Sequence, residues 1–210
     1  MTQVKICGIT TRADALHAIA CGADALGFNF YPKSPRFVSV EAAREIISSL
    51  PYKVRNVGIF VDEDAKSITK TAIDAQLDMV QLHGGETPEY VDTLVKILNR
   101  PIIKAFRVGG QFSVREIEAF DVEGGILLDG FTPGLHGGTG ATFDWTVAAE
   151  VAAVAANLYL AGGLSIDNVA QAIRAVRPFA VDACSYLETE PGRKDPDKVK
   201  LFIDAAKGAI

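Results

Sequence analysis

Glycines and titratable residues recur in this chain immediately after short apolar runs. The chemistry they suggest is anion binding beside proton transfer. Gly137-Gly138-Thr139-Gly140 follows the run ending at Leu128-Asp129, Gly162-Gly163 follows Leu160-Ala161, and Ser185 follows Ala180 to Ala183. Glycines let backbone N–H groups come close to an anion, and three such loops side by side point to a phosphate held at Gly138, Gly140, Gly162, Gly163 and Ser185. Taken singly, each glycine pair also serves an ordinary turn. Cys7, His83, Arg107, Asp129 and Asp182 stand at the ends of other apolar runs. A cysteine there is more often packing, an aspartate can cap its own loop, and a strand-end salt bridge would account for Arg107 or Asp182. Their shared position at run ends is what makes them candidates.

The elements that must position these groups follow from periodicity. Runs rich in Val, Ile, Leu and Phe begin near Gln3, Ala25, Val54, Asp78, Pro101, Gly124, Asn157 and Ala180. Starts roughly 22 to 33 residues apart leave room for a loop and a three-turn helix after each strand. Thr87-Pro88 and Asp195-Pro196 pair a capping side chain with a proline at the first helical position, and Ser39, Ser113, Asp144 and Ser165 precede amphipathic runs in the same way. Gly22 and Pro178 stand where helices should end. The strands look apolar on both faces, as expected when helices cover one side and a packed interior fills the other. Eight near-equal βα units, with no Gly-x-Gly-x-x-Gly after the first strand, predict an α/β fold, a single (β/α)8 TIM barrel occupying 1–210 as one catalytic domain. Short connections then gather every strand's C-terminal end on one rim.

Composition excludes several classes of function. A formal charge of -5 and scattered Lys and Arg offer no basic face for nucleic acid or an anionic membrane. Trp145 to Leu164 is interrupted by Glu150 and Asn157 and reads as a helix followed by a strand, not a membrane span. No leader-like segment follows Met1, so the mature chain is expected to start there. Three separated cysteines suit a reducing, cytoplasmic setting, and no Cys-x-x-Cys or His-x-x-x-His spacing suggests a metal. Met79 and Trp145 are expected in the core, and Cys21 in helix packing.

Longer motifs carry a resemblance. Val4-Lys5-Ile6-Cys7-Gly8-Ile9-Thr10, Gly27 to Arg36, Val57 to Val61, Val80-Gln81-Leu82-His83-Gly84, Gly137 to Gly140 with Phe143-Asp144-Trp145, Leu160 to Leu164 and Val181-Asp182 resemble the phosphoribosylanthranilate isomerase family in order along the whole chain. The resemblance implies an Amadori rearrangement in tryptophan biosynthesis on a small phosphorylated sugar-anthranilate, with no cofactor and no metal, by a monomer or homodimer. It makes Cys7 the general base and Asp129 the general acid. Cys7 then needs a positive neighbour or helix dipole to lower a pKa of about 8.5. Asp129 needs partial burial to raise one of about 3.9. Arg36 matches the residue that holds the anthranilate carboxylate, which its planar fork suits, although a lone arginine is often a solvated loop charge. His83 lines the site or is a satisfied core histidine, and Asp182 faces the ligand.

Two positions depart from the family pattern. Tyr186 follows Ser185 where a glycine is common, and Ala141 stands where a lysine is common, leaving Arg193 or Lys194 to compensate. Three alternatives follow from the same features: the related Amadori isomerase of histidine biosynthesis, a pentose-phosphate epimerase, and a catalytically silent barrel that senses a phosphorylated metabolite. The first is expected to carry aspartate in place of Cys7, the second needs metal ligands, and retention of Cys7 with Asp129 argues against the third.

Overall fold

A computed structural model of the chain describes residues 1–51, 54–109, 112–130 and 145–209. Eight parallel strands close into a barrel in chain order: β1 (Gln3–Ile6), β2 (Ala25–Asn29), β3 (Arg55–Phe60), β4 (Met79–Leu82), β5 (Ile102–Val108), β6 (Gly125–Gly130), β7 (Leu158–Ala161) and β8 (Ala180–Ala183). β8 pairs back onto β1. Each strand begins within one residue of the start expected from sequence, and the (β/α)8 architecture is the predicted one.

Among the described residues, seven helices surround the barrel: α1 (Arg12–Ala20), α2 (Val40–Ser48), α3 (Ala65–Asp74), α4 (Pro88–Leu98), α5 (Trp145–Val154), α6 (Val169–Val176) and α7 (Pro196–Lys207). Ser39, Thr87 and Asp195 accept backbone N–H bonds at their helix starts, with proline at the first turn after the latter two. This is the capping chemistry their sequence foretold. Arg177 closes α6 in the left-handed conformation just before Pro178. Trp145 to Leu164 is indeed a helix and a strand, and among the described residues no helix is long and apolar enough to cross a membrane.

Two expectations about the segments between strands need correction. The connection after β5 is a single 3-10 segment, Val114–Ala119, in place of a three-turn helix. Ser113 and Glu116 close a capping box there, but the segment buries only Ile117, and Phe106 is covered instead by the edges of Phe112 and Phe120. Ser165 does not cap α6 either. Its carbonyl accepts from the N–H groups of Asn168 and Val169, so the first helical residue falls four positions later, at Val169. Asp144 lies outside the described residues.

The core has two layers. The outer layer, between strands and helices, takes Val4, Ile6, Leu26, Phe28, Val80, Leu82, Leu128, Leu160 and Val181 with the buried faces of the helices. The inner layer fills the lower barrel with Ala25, Val57, Met79, Ile103, Leu127, Tyr159 and Ala180. Alternate residues of each strand serve alternate layers, the period of a pleated strand. The upper interior breaks the expectation of strands apolar on both faces, because Lys5, Gln81 and Asp182 are buried there. Lys5, wholly buried, ion-pairs with Asp182 Oδ1 at 3.0 Å. Met79 is buried as expected, Trp145 packs half-buried against the outer core, and Cys21 ends α1 beside His17.

Candidate active site

A cavity of about 650 Å³ opens at the C-terminal strand ends. Cys7, Arg36, His83, Asp129, Gly162, Gly163, Asp182 and Ser185 all line it. Every described residue in the predicted site therefore reaches one space. Gly138 and Gly140 lie outside the described residues. Arg107 does not join them: it is exposed and borders a neighbouring hollow with Phe106 and Phe120. Another hollow, of about 750 Å³, lies at the opposite barrel end, where Asp24 is already engaged by Lys207 and the Val4 N–H.

Cys7 stands one residue beyond β1, on the same strand face as Lys5. Interaction with the Cys184 thiol, helped by the charges of Lys5 and Lys194, holds Cys7 well below the ordinary thiol range although burial pushes the other way. Cys184 is driven in the opposite direction by the same interaction and by its own burial. The thiolate is thus favoured at Cys7, and the Cys184 thiol points its hydrogen at Glu188 Oε1, 3.9 Å away. The positive neighbour that the sequence required is Lys5. Burial works against its charge, but Asp182 and the two thiols outweigh that and raise its pKa. Asp182 itself is pushed up to about 7 by burial, with Lys5 opposing. It both closes an ion pair and faces the cavity, so the two accounts open in the sequence hold together.

Asp129 ends β6 and is a third exposed, its Oδ2 lying 3.3 Å from His83 Nε2. His83 Nδ1 lies 2.9 Å from Gln81 Nε2, and Gln81 Oε1 is buried without a partner. The amide can present either its N–H or its carbonyl to the ring. With the carbonyl turned inward, Nδ1 carries the hydrogen and Nε2 is left as an acceptor.

Arg36, from the loop after β2, is half-buried. Its Nε and Nη2 grip both Glu188 oxygens at 2.6 to 3.1 Å. It is thus no free loop charge. Lys194 Nζ reaches Glu188 Oε1 at 3.0 Å and the Cys184 carbonyl at 3.1 Å. Glu188 is held below the usual carboxylate range by Arg36 and Lys194 against the effect of its burial. These contacts correct the compensating role offered to Lys194: its charge is enclosed beneath the rim and unavailable to an anion above. Arg193 pairs in a short hairpin, Glu188–Glu190 with Arg193–Lys194, and does not line the cavity.

The rim after β7 is built from Gly162 and Gly163, both at positive φ. A Cβ on Gly162 would sit 2.1 Å from the Gly130 N, so two constraints demand glycine there. Asn168 braces the turn by donating to the Gly163 carbonyl at 2.9 Å and accepting from the Ser165 N–H at 2.8 Å. Ser185 is exposed on the far side of the rim, and Tyr186 donates to Asp167 Oδ2 at 3.4 Å. Asp167 brings a negative charge to this rim, which tempers its attraction for a phosphate. Among the described residues no group of three His, Cys, Asp or Glu is arranged to hold a metal ion.

Sequence inspection missed Lys5, Gln81, Cys184 and Glu188, and gave Lys194 a different task. Lys5 and Gln81 were legible in principle, since each stands two residues before a candidate on the same strand face. Glu188 and the enclosed position of Lys194 were not, because only the folded hairpin brings them to Arg36 and Cys184.

Comparison with known proteins accords with this geometry. The family described as N-(5'phosphoribosyl)anthranilate (PRA) isomerase matches residues 4–205. An N-(5'-phosphoribosyl)anthranilate isomerase of Geobacter sp. (strain M21) is 49% identical over 207 residues, 99% of this chain and 98% of that one. The phosphoribosyl anthranilate isomerase structure from Thermotoga maritima superposes with TM-score 0.88 at 45% identity, covering 99% of this chain and 100% of the other. A further structure of the enzyme, in complex with reduced 1-(o-carboxyphenylamino)-1-deoxyribulose 5-phosphate, gives TM-score 0.85 at 42% identity over 99% and 100% of the two chains. Another, with TM-score 0.83 and 41% identity over the same shares, describes monomers generated from the dimeric Thermotoga maritima enzyme. With its barrel, its thiol and carboxyl on one cavity and these matches along almost its whole length, the chain belongs to the phosphoribosylanthranilate isomerase family.

Proposed function

We propose that this cavity converts N-(5'-phosphoribosyl)anthranilate into the carboxyphenylamino-deoxyribulose 5-phosphate of tryptophan biosynthesis, with Asp129 as acid and Cys7 as base. Asp129 gives a proton to the furanose oxygen as the bond from that oxygen to sugar carbon one breaks. Cys7 thiolate then removes the proton from carbon two, leaving an enolamine. Gain of a proton at carbon one and loss of one from the carbon-two hydroxyl produce the ketone, so the formula is unchanged and no redox partner enters the balance. One acid and one base suffice. The observation that carries this assignment is that Cys7 and Asp129 line the same cavity as Gly162 and Gly163.

The phosphate is assigned to Gly162, Gly163 and Ser185, with Gly138 and Gly140 contributing from the loop after β6. The anthranilate carboxylate is assigned to Arg36 through Nη1, which Glu188 does not engage. Glu188 fixes the fork in place. His83 holds Asp129, and Asp182 keeps Lys5 beneath Cys7. We take residues 1–210 as one catalytic domain, acting in the cytoplasm as a monomer or homodimer on a small molecule and not on nucleic acid.

The test is turnover of phosphoribosylanthranilate, followed by loss of anthranilate-type fluorescence. Turnover unaffected by a chelator is expected. Tight binding of the reduced product analogue without any turnover would instead favour a silent sensor.

A further inference from the structure

The rearrangement uses one thiol of the cavity, and the fold supplies two. β1 and β8 pair in register from Gln3 opposite Ala180 to Ile6 opposite Ala183, and the Cys7 N–H donates to the Ala183 carbonyl at 2.9 Å. One more step along that register sets Cys184 beside Cys7. Neighbouring strands lie about 4.8 Å apart, inside the roughly 4.4–6.8 Å between Cα atoms that a disulfide spans. Both residues line the same cavity. Gly8 leaves the space for this, since a Cβ there would come 2.8 Å from Cys184 Sγ.

Their surroundings favour reaction. Lys194 Nζ lies 3.8 Å from Cys184 Sγ, and buried Lys5 stands below Cys7 on the same face. Adjacent cations stabilise thiolate, the form that attacks an oxidant. Both sulfurs belong to partly exposed residues that line the open cavity, so a small solute reaches them. Cys21 is elsewhere, at the end of α1 against His17.

We propose that Cys7 and Cys184 form a reversible thiol–disulfide pair for which the oxidant is a small hydroperoxide such as hydrogen peroxide. The Cys7 thiolate attacks one peroxide oxygen and the O–O bond breaks. Sulfur is oxidised by two electrons to sulfenic acid, and the departing hydroxide takes a proton to become water. Cys184 sulfur then attacks the Cys7 sulfur. The S–S bond forms, the S–O bond breaks, and hydroxide leaves with the Cys184 proton as a second water. An external dithiol returns both thiols by exchange. The bond itself follows from the geometry alone. Its consequence, that turnover stops while Cys7 is tied up, rests on the function proposed above.

The experiment treats the full chain with hydrogen peroxide, then reads intact mass, linked peptides and turnover before and after dithiothreitol. The parent should lose about 2 Da, yield a peptide pair joined through Cys7 and Cys184, and regain both mass and activity on reduction. Turnover of the oxidised form should fall roughly 10²-fold, the scale for losing a positioned base. Cys21→Ser should behave as the parent. Cys184→Ser and Cys184→Ala, each compared with its own unoxidised rate, should form no disulfide, and excess peroxide should instead carry Cys7 past sulfenic acid to sulfinic or sulfonic acid, which dithiothreitol does not reverse. If neither Cys184 variant folds, the linked peptide from the parent decides alone. Treated parent in which both thiols stay free, or Cys7 gains oxygen without losing the 2 Da, or the bond runs through Cys21, overturns the proposal. A Cys7–Cys184 bond with turnover intact leaves the pair standing and removes Cys7 from its role as base.

Discussion

The lower and upper halves of the barrel interior are made by the same strands, two residues apart, yet they share almost no chemistry. Below are Met79, Leu127, Tyr159 and Ala180, which fill the interior with apolar volume. Two positions along the same strands stand Gln81, Asp129, Ala161 and Asp182, and these line an open cavity. Because side chains return to one face every second residue, each strand delivers one residue to the filling and the next to the rim. The buried Lys5–Asp182 pair marks the border between the halves. Stability and catalysis are thereby assigned to different heights of one barrel, and substitutions should separate them.

The largest effect is expected below the border. Met79→Ala and Ile103→Ala should each lower unfolding free energy by about 2 to 5 kcal/mol, the usual cost of truncating buried aliphatic side chains. kcat per folded molecule should stay close to parental, and denaturant titration beside the fluorescence assay checks both. Equal losses of kcat would erase the distinction between the halves. Above the border, Cys7→Ser and Asp129→Asn should each lower kcat by roughly 10²-fold or more, with smaller effects on KM and on the unfolding midpoint. Near-parental rates in both would remove the acid and base assignments even if the substrate is right.

Much of the upper half was legible because strand ends can be found from apolar runs, which placed Cys7, His83, Asp129, Asp182 and Gly162 on one rim. The helix starts at Thr87 and Asp195 were legible for a local reason, a capping side chain followed by proline. Ser165 misled because Asn168, three residues on, competes for the same turn, and Ser113 misled because the apolar pattern after it spans a segment of only six residues. The pairing of Arg36 with Glu188, and of Cys7 with Cys184, lies between residues more than 150 positions apart, so no local pattern records it.

Smaller effects probe that hidden network. Arg36→Ala should raise KM about tenfold or more, the scale of one charge-assisted hydrogen bond, with little change in kcat. Steady-state kinetics at fixed pH measures this, and an unchanged KM takes Arg36 out of carboxylate binding. The smallest effect is expected at Cys184. In the parent, Cys7 sits below the ordinary thiol range, so the rising, low-pH limb of kcat/KM should lie below about 8.5. Cys184→Ala deletes the thiol that stabilises the Cys7 thiolate, so the Cys7 pKa goes up and that limb should move to higher pH. A limb that does not move means Lys5 and its neighbours suffice without Cys184.

The division of labour between thiol and carboxyl is open to one direct measurement, the kinetic isotope effect with substrate deuterated at sugar carbon two. In Cys7→Ser, proton removal from that carbon should become the slow step and the isotope effect on kcat should rise above the parental value. In Asp129→Asn, ring opening should limit the rate and the effect should fall toward unity. The opposite pattern, or the same effect in both variants, would contradict the assignment of Cys7 to carbon two and Asp129 to the ring oxygen.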